Sequence, residues 1–148
     1  MARLESSDVA GWLLKSTRAP ATIEPGWAPG EARELTRCVR PSYRLELVSR
    51  GQPVVLWVSG RILPGVHAVG SVSGPVRQDG GDDGPALSVR LTRLHAPVER
   101  GELLADPHFR SAEVLRMPAG SNPSWLTAAQ LATVLGRAGA TVLGRWVP

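Results

Sequence analysis

The sequence predicts one small α+β domain, a mixed barrel whose helices fall late in the chain. Three observations point there. The chain has 148 residues, room for one closed core but not for two ordinary domains. Its 16 glycines and 13 prolines are scattered between short apolar runs, which is the spacing of tight turns between short strands. After Pro97 the pattern changes from period-two alternation to helical spacing, so the elements do not alternate as in a βαβ sheet.

The elements follow in order. Residues 1–10 are polar and expected to be loose, leaving 11–148 as the domain. Gly11–Ser16 (Gly-Trp-Leu-Leu-Lys-Ser) reads as a buried strand with a polar end. Thr17–Arg33 is mostly loop, because three prolines and two glycines interrupt it. Glu34–Val39 reads as a short strand, while Pro41–Val48 fits a strand or a helical turn about equally. Val54–Ser59, β-branched and containing Trp57, follows the turn Gly51-Gln52-Pro53. Val66–Val72 is a strand in which Gly70 marks a bulge or a close backbone contact. Asp79–Pro85 is a loop tip. Ala86–Leu94 alternates apolar residues with Arg90 and Arg93, giving a strand with one basic face.

Beyond Pro97, Glu99–Leu104 is a helical turn. Asp106-Pro107 opens another, with Asp as cap and Pro in the first turn, and Ser111–Arg116 continues it. Pro118–Ser124 is loop. Thr127 caps a helix over Ala128–Gly136, which Gly136 or Gly139 ends. Leu143–Val147 is expected to form a last strand or packed tail.

Composition narrows the function classes. No apolar run approaches the roughly 18 residues that span a bilayer. The acidic start (Glu5, Asp8) does not suit a secretory signal, and the single cysteine excludes an internal disulfide framework. These features lead to the expectation of a cytoplasmic protein. His67, His95 and His108 stand alone and lack metal-ligand spacing. Asp79, Asp82 and Asp83 lack the calcium-loop pattern, and no nucleophile elbow, phosphate loop or dinucleotide fingerprint occurs. No metal, cofactor or catalytic residue is therefore assigned.

Two features suit nucleic acid. The net charge is +4, and Lys15 is the only lysine among 17 basic residues. Arginine binds phosphate and bases bidentately, although a GC-rich genome gives the same bias. Five tryptophans (Trp12, Trp27, Trp57, Trp125, Trp146) stand against one Phe and one Tyr. Core packing accounts for such residues as well as base stacking does. Two strands nevertheless end alike, with Lys15-Ser16 after Trp12 and Ser59-Gly60 after Trp57.

At these residues the chain resembles the EVE domain family, relatives of PUA, ASCH and YTH domains. Trp12-Leu13-Leu14-Lys15-Ser16 is similar to the family's first strand. Gly51–Gly60 resembles its Gly-Asp-x-Val-x-Phe-Tyr/Trp-x-Ser strand, and Pro64–Gly70 its Pro-Gly-Ile-x-Ala-x-Gly strand. Leu94–Pro97, Leu103–Pro107 and the loop Arg116–Pro123 follow in the family's order, so the likeness runs from about Gly11 to Leu135.

The resemblance implies a PUA-like pseudobarrel that catalyses nothing and holds a pocket for a modified base in DNA or RNA. It points to Trp12, Lys15, Ser16, Cys38, Trp57, Ser59, Gly60, Arg116, Ser121, Asn122 and Pro123 as the pocket, with Arg37, Arg40 and Arg44 as phosphate contacts. The chain departs from the family where an aromatic and an Asn often stand, and carries Arg37-Cys38-Val39-Arg40 there. The rival expectations are an enzyme that modifies or cleaves nucleic acid, and a protein-interaction module with a vestigial pocket.

Overall fold

The computed structural model describes residues 3–78 and 84–139. Most of the Asp79–Pro85 loop and all of Leu143–Val147 lie outside them. Six strands form one mixed sheet: β1 (Gly11–Ser16), β2 (Ala32–Cys38), β3 (Pro53–Val58), β4 (Gly65–Val72), β5 (Ala86–Glu99) and β6 (Ser124–Leu126). Their order is β2-β5-β4-β3-β1-β6, with β1 parallel to β3 and every other pairing antiparallel. The helices are α1 (Pro20–Ile23), α2 (Arg100–Ala105), α3 (Glu113–Arg116) and α4 (Ala128–Ala138).

Alternation along the strands sends side chains to two cores. On one face Trp12 and Leu14 of β1 pack with Leu35 of β2 and Val89 and Leu91 of β5. Because β2 and β1 are four places apart in the sheet, their sharing a cluster means that the sheet curls over on itself. Its edges approach where the Arg40 N–H donates to the Asn122 carbonyl at 3.0 Å, just ahead of β6. The other face, with Leu13, Val55, Trp57, Val66 and Val69, is covered by Leu103 of α2, Phe109, Val114 of α3, and Leu131 and Val134 of α4.

Several local expectations take definite form. Gly70 is a close contact: a Cβ there would lie 1.8 Å from the Arg90 carbonyl oxygen. Pro41–Val48 resolves as a 3-10 turn over Tyr43–Leu47, capped by the Ser42 hydroxyl. Thr127 caps α4, and its capping box with Gln130 satisfies two otherwise orphaned N–H groups. Asp106 caps as expected, accepting from the His108 and Phe109 N–H groups, but it opens only a 3-10 turn over Phe109–Ser111.

Other expectations are corrected. β5 continues past Leu94 to Glu99, because residues 94–97 lie in a register shift opposite His67, where Pro97 need not donate to a ladder. β6 takes Ser124 from the end of the expected loop and runs through Trp125 and Leu126, for which no element was expected. Residues 3–10, expected to be loose, are tied down: the Leu4 N–H donates to the Tyr43 hydroxyl at 2.9 Å, and the Arg3 guanidinium lies 4.0 Å from the Tyr43 ring centroid. Among the described residues no helix is long and apolar enough to cross a membrane.

Candidate nucleic-acid interface

The parallel pairing of β1 with β3 sets the site. Register puts Lys15 beside Trp57, and the Ser59 N–H donates to the Ser16 carbonyl at 2.9 Å. Lys15, Trp57, Ser59 and Gly60 thereby line one recess of about 190 Å³, closed by Pro64, Arg100, Val114 and Pro118. The same pairing separates the two tryptophans proposed as stacking platforms. Trp12 pairs with Val54 and Trp57 with Lys15, so their side chains leave opposite faces of the sheet. Trp12 is fully buried, its indole N–H donating to Gln52 Oε1 at 2.8 Å, and it is a core residue.

Trp57 is only 4% exposed and stacks on Phe109, ring centroids 6.1 Å apart and planes 12° from parallel. The buried indoles of Trp12 and Trp27 both donate hydrogen bonds, to Gln52 and to the Glu31 carbonyl. The Trp57 indole N–H has no acceptor among the described residues. A buried donor without a partner costs roughly 1–3 kcal/mol, a cost that an ordered water or a ligand carrying an acceptor removes. The Ser59 hydroxyl beside it makes only a long contact, 3.4 Å, to the Ser16 carbonyl.

Lys15 forms the wall between this recess and a larger one. Its ammonium donates to the Gly120 carbonyl at 2.6 Å and the Met117 carbonyl at 3.3 Å, which pins the loop after α3. Burial holds its pKa below the usual lysine value. On the far side of that loop lies a groove of about 660 Å³, lined among others by Arg3, Arg40, Tyr43, Arg116, Ser121 and Trp125.

The expected site residues divide on this frame. Arg40 lines the groove, with Nη1 donating to the Ser121 hydroxyl at 3.0 Å. Arg116 lines it too, with Nε donating to the Ser111 carbonyl. Pro123 belongs to the groove wall. Asn122 also lines the groove, but its amide is committed: it accepts from the Lys15 N–H at 2.7 Å and donates to the Lys15 carbonyl at 3.0 Å, acting as a strand neighbour to β1. Ser16 is buried on the Trp12 face, its hydroxyl engaged with the Arg18 backbone. Cys38 is exposed and lines neither cavity.

The arginines assigned to phosphate also part company. Arg44 is ion-paired with Glu113, at 2.6 and 2.8 Å, and donates to the Pro123 carbonyl. Arg37 shares the inner face with Leu35 and Val39, half-buried beside the positive charge of Arg18, away from the groove. Burial lowers its pKa. On β5, Arg90 pairs with Glu34 and Arg93 donates to the Trp27 carbonyl, so both arginines of that basic face are engaged.

Glu113 is the residue that sequence reasoning missed. The Arg44 guanidinium above all, and the Ser124 hydroxyl after it, hold its carboxyl below the usual glutamate range. Its partner is 69 positions away, so no local spacing announces the pair.

A curled mixed sheet with short helices on one face and a recess at the ends of two parallel strands defines a PUA-like α+β fold. Solved structures share it. A hypothetical protein from Leishmania major superposes with a TM-score of 0.69 at 17% identity, covering 90% of this chain and 97% of that one. A Rhodopseudomonas palustris protein gives a TM-score of 0.65 at 20% identity, covering 88% and 94%. Human THYN1 protein, in complex with 5-methylcytosine-containing DNA, gives a TM-score of 0.57 at 12% identity, covering 86% and 96%. No protein-family model and no curated protein matches the chain. At these identities the likeness establishes the fold.

Proposed function

We propose that the chain is a non-catalytic DNA-binding module that takes a modified base into the recess of Lys15, Trp57, Ser59 and Gly60. The observation that carries this reading is the buried Trp57 side chain, whose indole N–H lacks an acceptor among the described residues, in the wall of that recess. A base edge supplies acceptors for such a donor, and the Ser59 hydroxyl can donate or accept beside it. The groove next door offers Arg3, Arg40 and Arg116 to a phosphate backbone. The complex of human THYN1 with 5-methylcytosine-containing DNA supports DNA as the partner of this fold.

The test is fluorescence anisotropy with matched oligonucleotides carrying cytosine, 5-methylcytosine, adenine or N6-methyladenine. The parent is expected to prefer one modified base over its unmodified counterpart. Ser59→Ala, at an exposed position, is expected to keep the fold and reduce that preference roughly tenfold, the worth of one hydrogen bond to a buried group. Equal binding to all four oligonucleotides would overturn the reading.

A further inference from the structure

Between β3 and β4 the chain makes a tip that the base pocket alone does not explain. Gly60 and Pro64 line the recess, so Arg61, Ile62 and Leu63 stand at its rim. Ile62 is 84% exposed and Leu63 50%, two adjacent residues among the four exposed large hydrophobics of the described surface. Leu63 also has φ +44°, the one positive φ among the described non-glycine residues. A branched side chain there costs free energy relative to an extended conformation. The conformation is held from below, where His67 Nε2 lies 2.7 Å from the Leu63 carbonyl oxygen.

We infer that the Ile62–Leu63 tip is a wedge that enters a DNA duplex beside the modified base and holds that base out of its stack. The inference rests on the base-binding reading above. A paired base cannot reach a recess behind the tip while it remains stacked, and extruding it leaves a gap in the duplex. Proteins that open base steps fill such gaps with exposed Ile, Leu, Met or Phe side chains.

Charge selects a nucleic-acid occupant over a protein one. Arg61 and Arg100 flank the tip, and neither has a carboxylate partner among the described residues. The Arg100 N–H donates to the Pro64 carbonyl at 2.8 Å, which fixes the start of α2 against the tip. Two unpaired cations beside an apolar point suit phosphates on either side of an opened step.

The experiment uses the variant Ile62→Ser/Leu63→Asn. Asparagine tolerates positive φ, so the tip keeps its backbone while losing its apolar surface. Unchanged cooperative melting establishes that the variant is folded. Two probes carry the preferred modified base, one single-stranded and one duplex, with 2-aminopurine next to that base to report unstacking. The variant is expected to bind the single strand within about twofold of the parent, and the duplex about tenfold more weakly. The parent alone is expected to raise 2-aminopurine emission on binding the duplex.

Equal duplex affinity and equal emission for parent and variant would overturn the wedge while leaving the base pocket standing. Loss of self-association in the variant without any change in duplex binding would equally overturn it and assign the tip to a second copy of the chain. A parent that shows no preference for a modified base in the single strand would instead remove the reading on which the wedge rests.

Discussion

Glu113 organises the floor of the groove by neutralising the cation that would otherwise dominate it. It takes two hydrogen bonds from Arg44 and a third from Ser124 at 2.8 Å, joining the 3-10 turn at Tyr43–Leu47 to α3 and β6. Its carboxyl is held below the usual value, so the unfolded chain binds more protons than the folded one as the pH falls, and stability rises with pH. That contribution is complete above the ordinary glutamate pKa and is lost as the pH drops through the depressed folded value. Glu113→Gln is expected to cost about 1–3 kcal/mol at neutral pH, because Arg44 loses its counter-charge. The gap between variant and parent should close in acid, and urea melts at neutral and acid pH check both. A gap that widens in acid would contradict the assignment. Sequence could place Arg44 in a basic cluster and still misjudge its role, since a cation's partner is visible only once the chain is folded. The same holds for Asn122, whose amide looks free in a polar loop and is spent on Lys15.

Among the elements, those with their own periodicity were legible. β1 matches its expected span, β3 is shifted by one residue at both ends, β4 starts one residue earlier, and the Thr127-x-x-Gln130 box marks the start of α4. β6 was not legible, because three residues show no alternation and its pairing with β1 is non-local. β5 was cut short because Pro97 reads as a stop, whereas the register shift accommodates it. Two glycine substitutions separate backbone contact from helix propensity. Gly70→Ala would drive a Cβ into the β5 backbone at Arg90 and Leu91, and is expected to cost at least about 3 kcal/mol. Gly136→Ala, exposed in α4 with nothing within 4 Å, is expected to stabilise by about 1 kcal/mol. Denaturant melts read both signs, and a tolerated Gly70→Ala would mean that β4 and β5 do not approach as closely as described.

For the whole molecule, the order of short motifs was enough to reach a PUA-like pseudobarrel. The closure that makes it one could not be read, because it depends on the Arg40 N–H meeting Asn122 across 82 positions of sequence. Closure also decides which arginines are engaged within the fold and which line the groove. Arg44, Arg90 and Arg93 are consumed within the fold, whereas Arg3, Arg40 and Arg116 face one groove. Each phosphate neutralised releases counterions, so the proposed DNA binding should weaken with salt at a logarithmic slope of about −0.9 per contact. Arg40→Gln and Arg116→Gln should each shallow that slope by about 1 and weaken modified and unmodified DNA alike. Arg90→Gln, removing an equal charge from outside the groove, should leave the slope unchanged. Net charge falls equally in all three, so a slope that follows net charge would refute the groove as the phosphate track, and one that follows position would place the backbone along it.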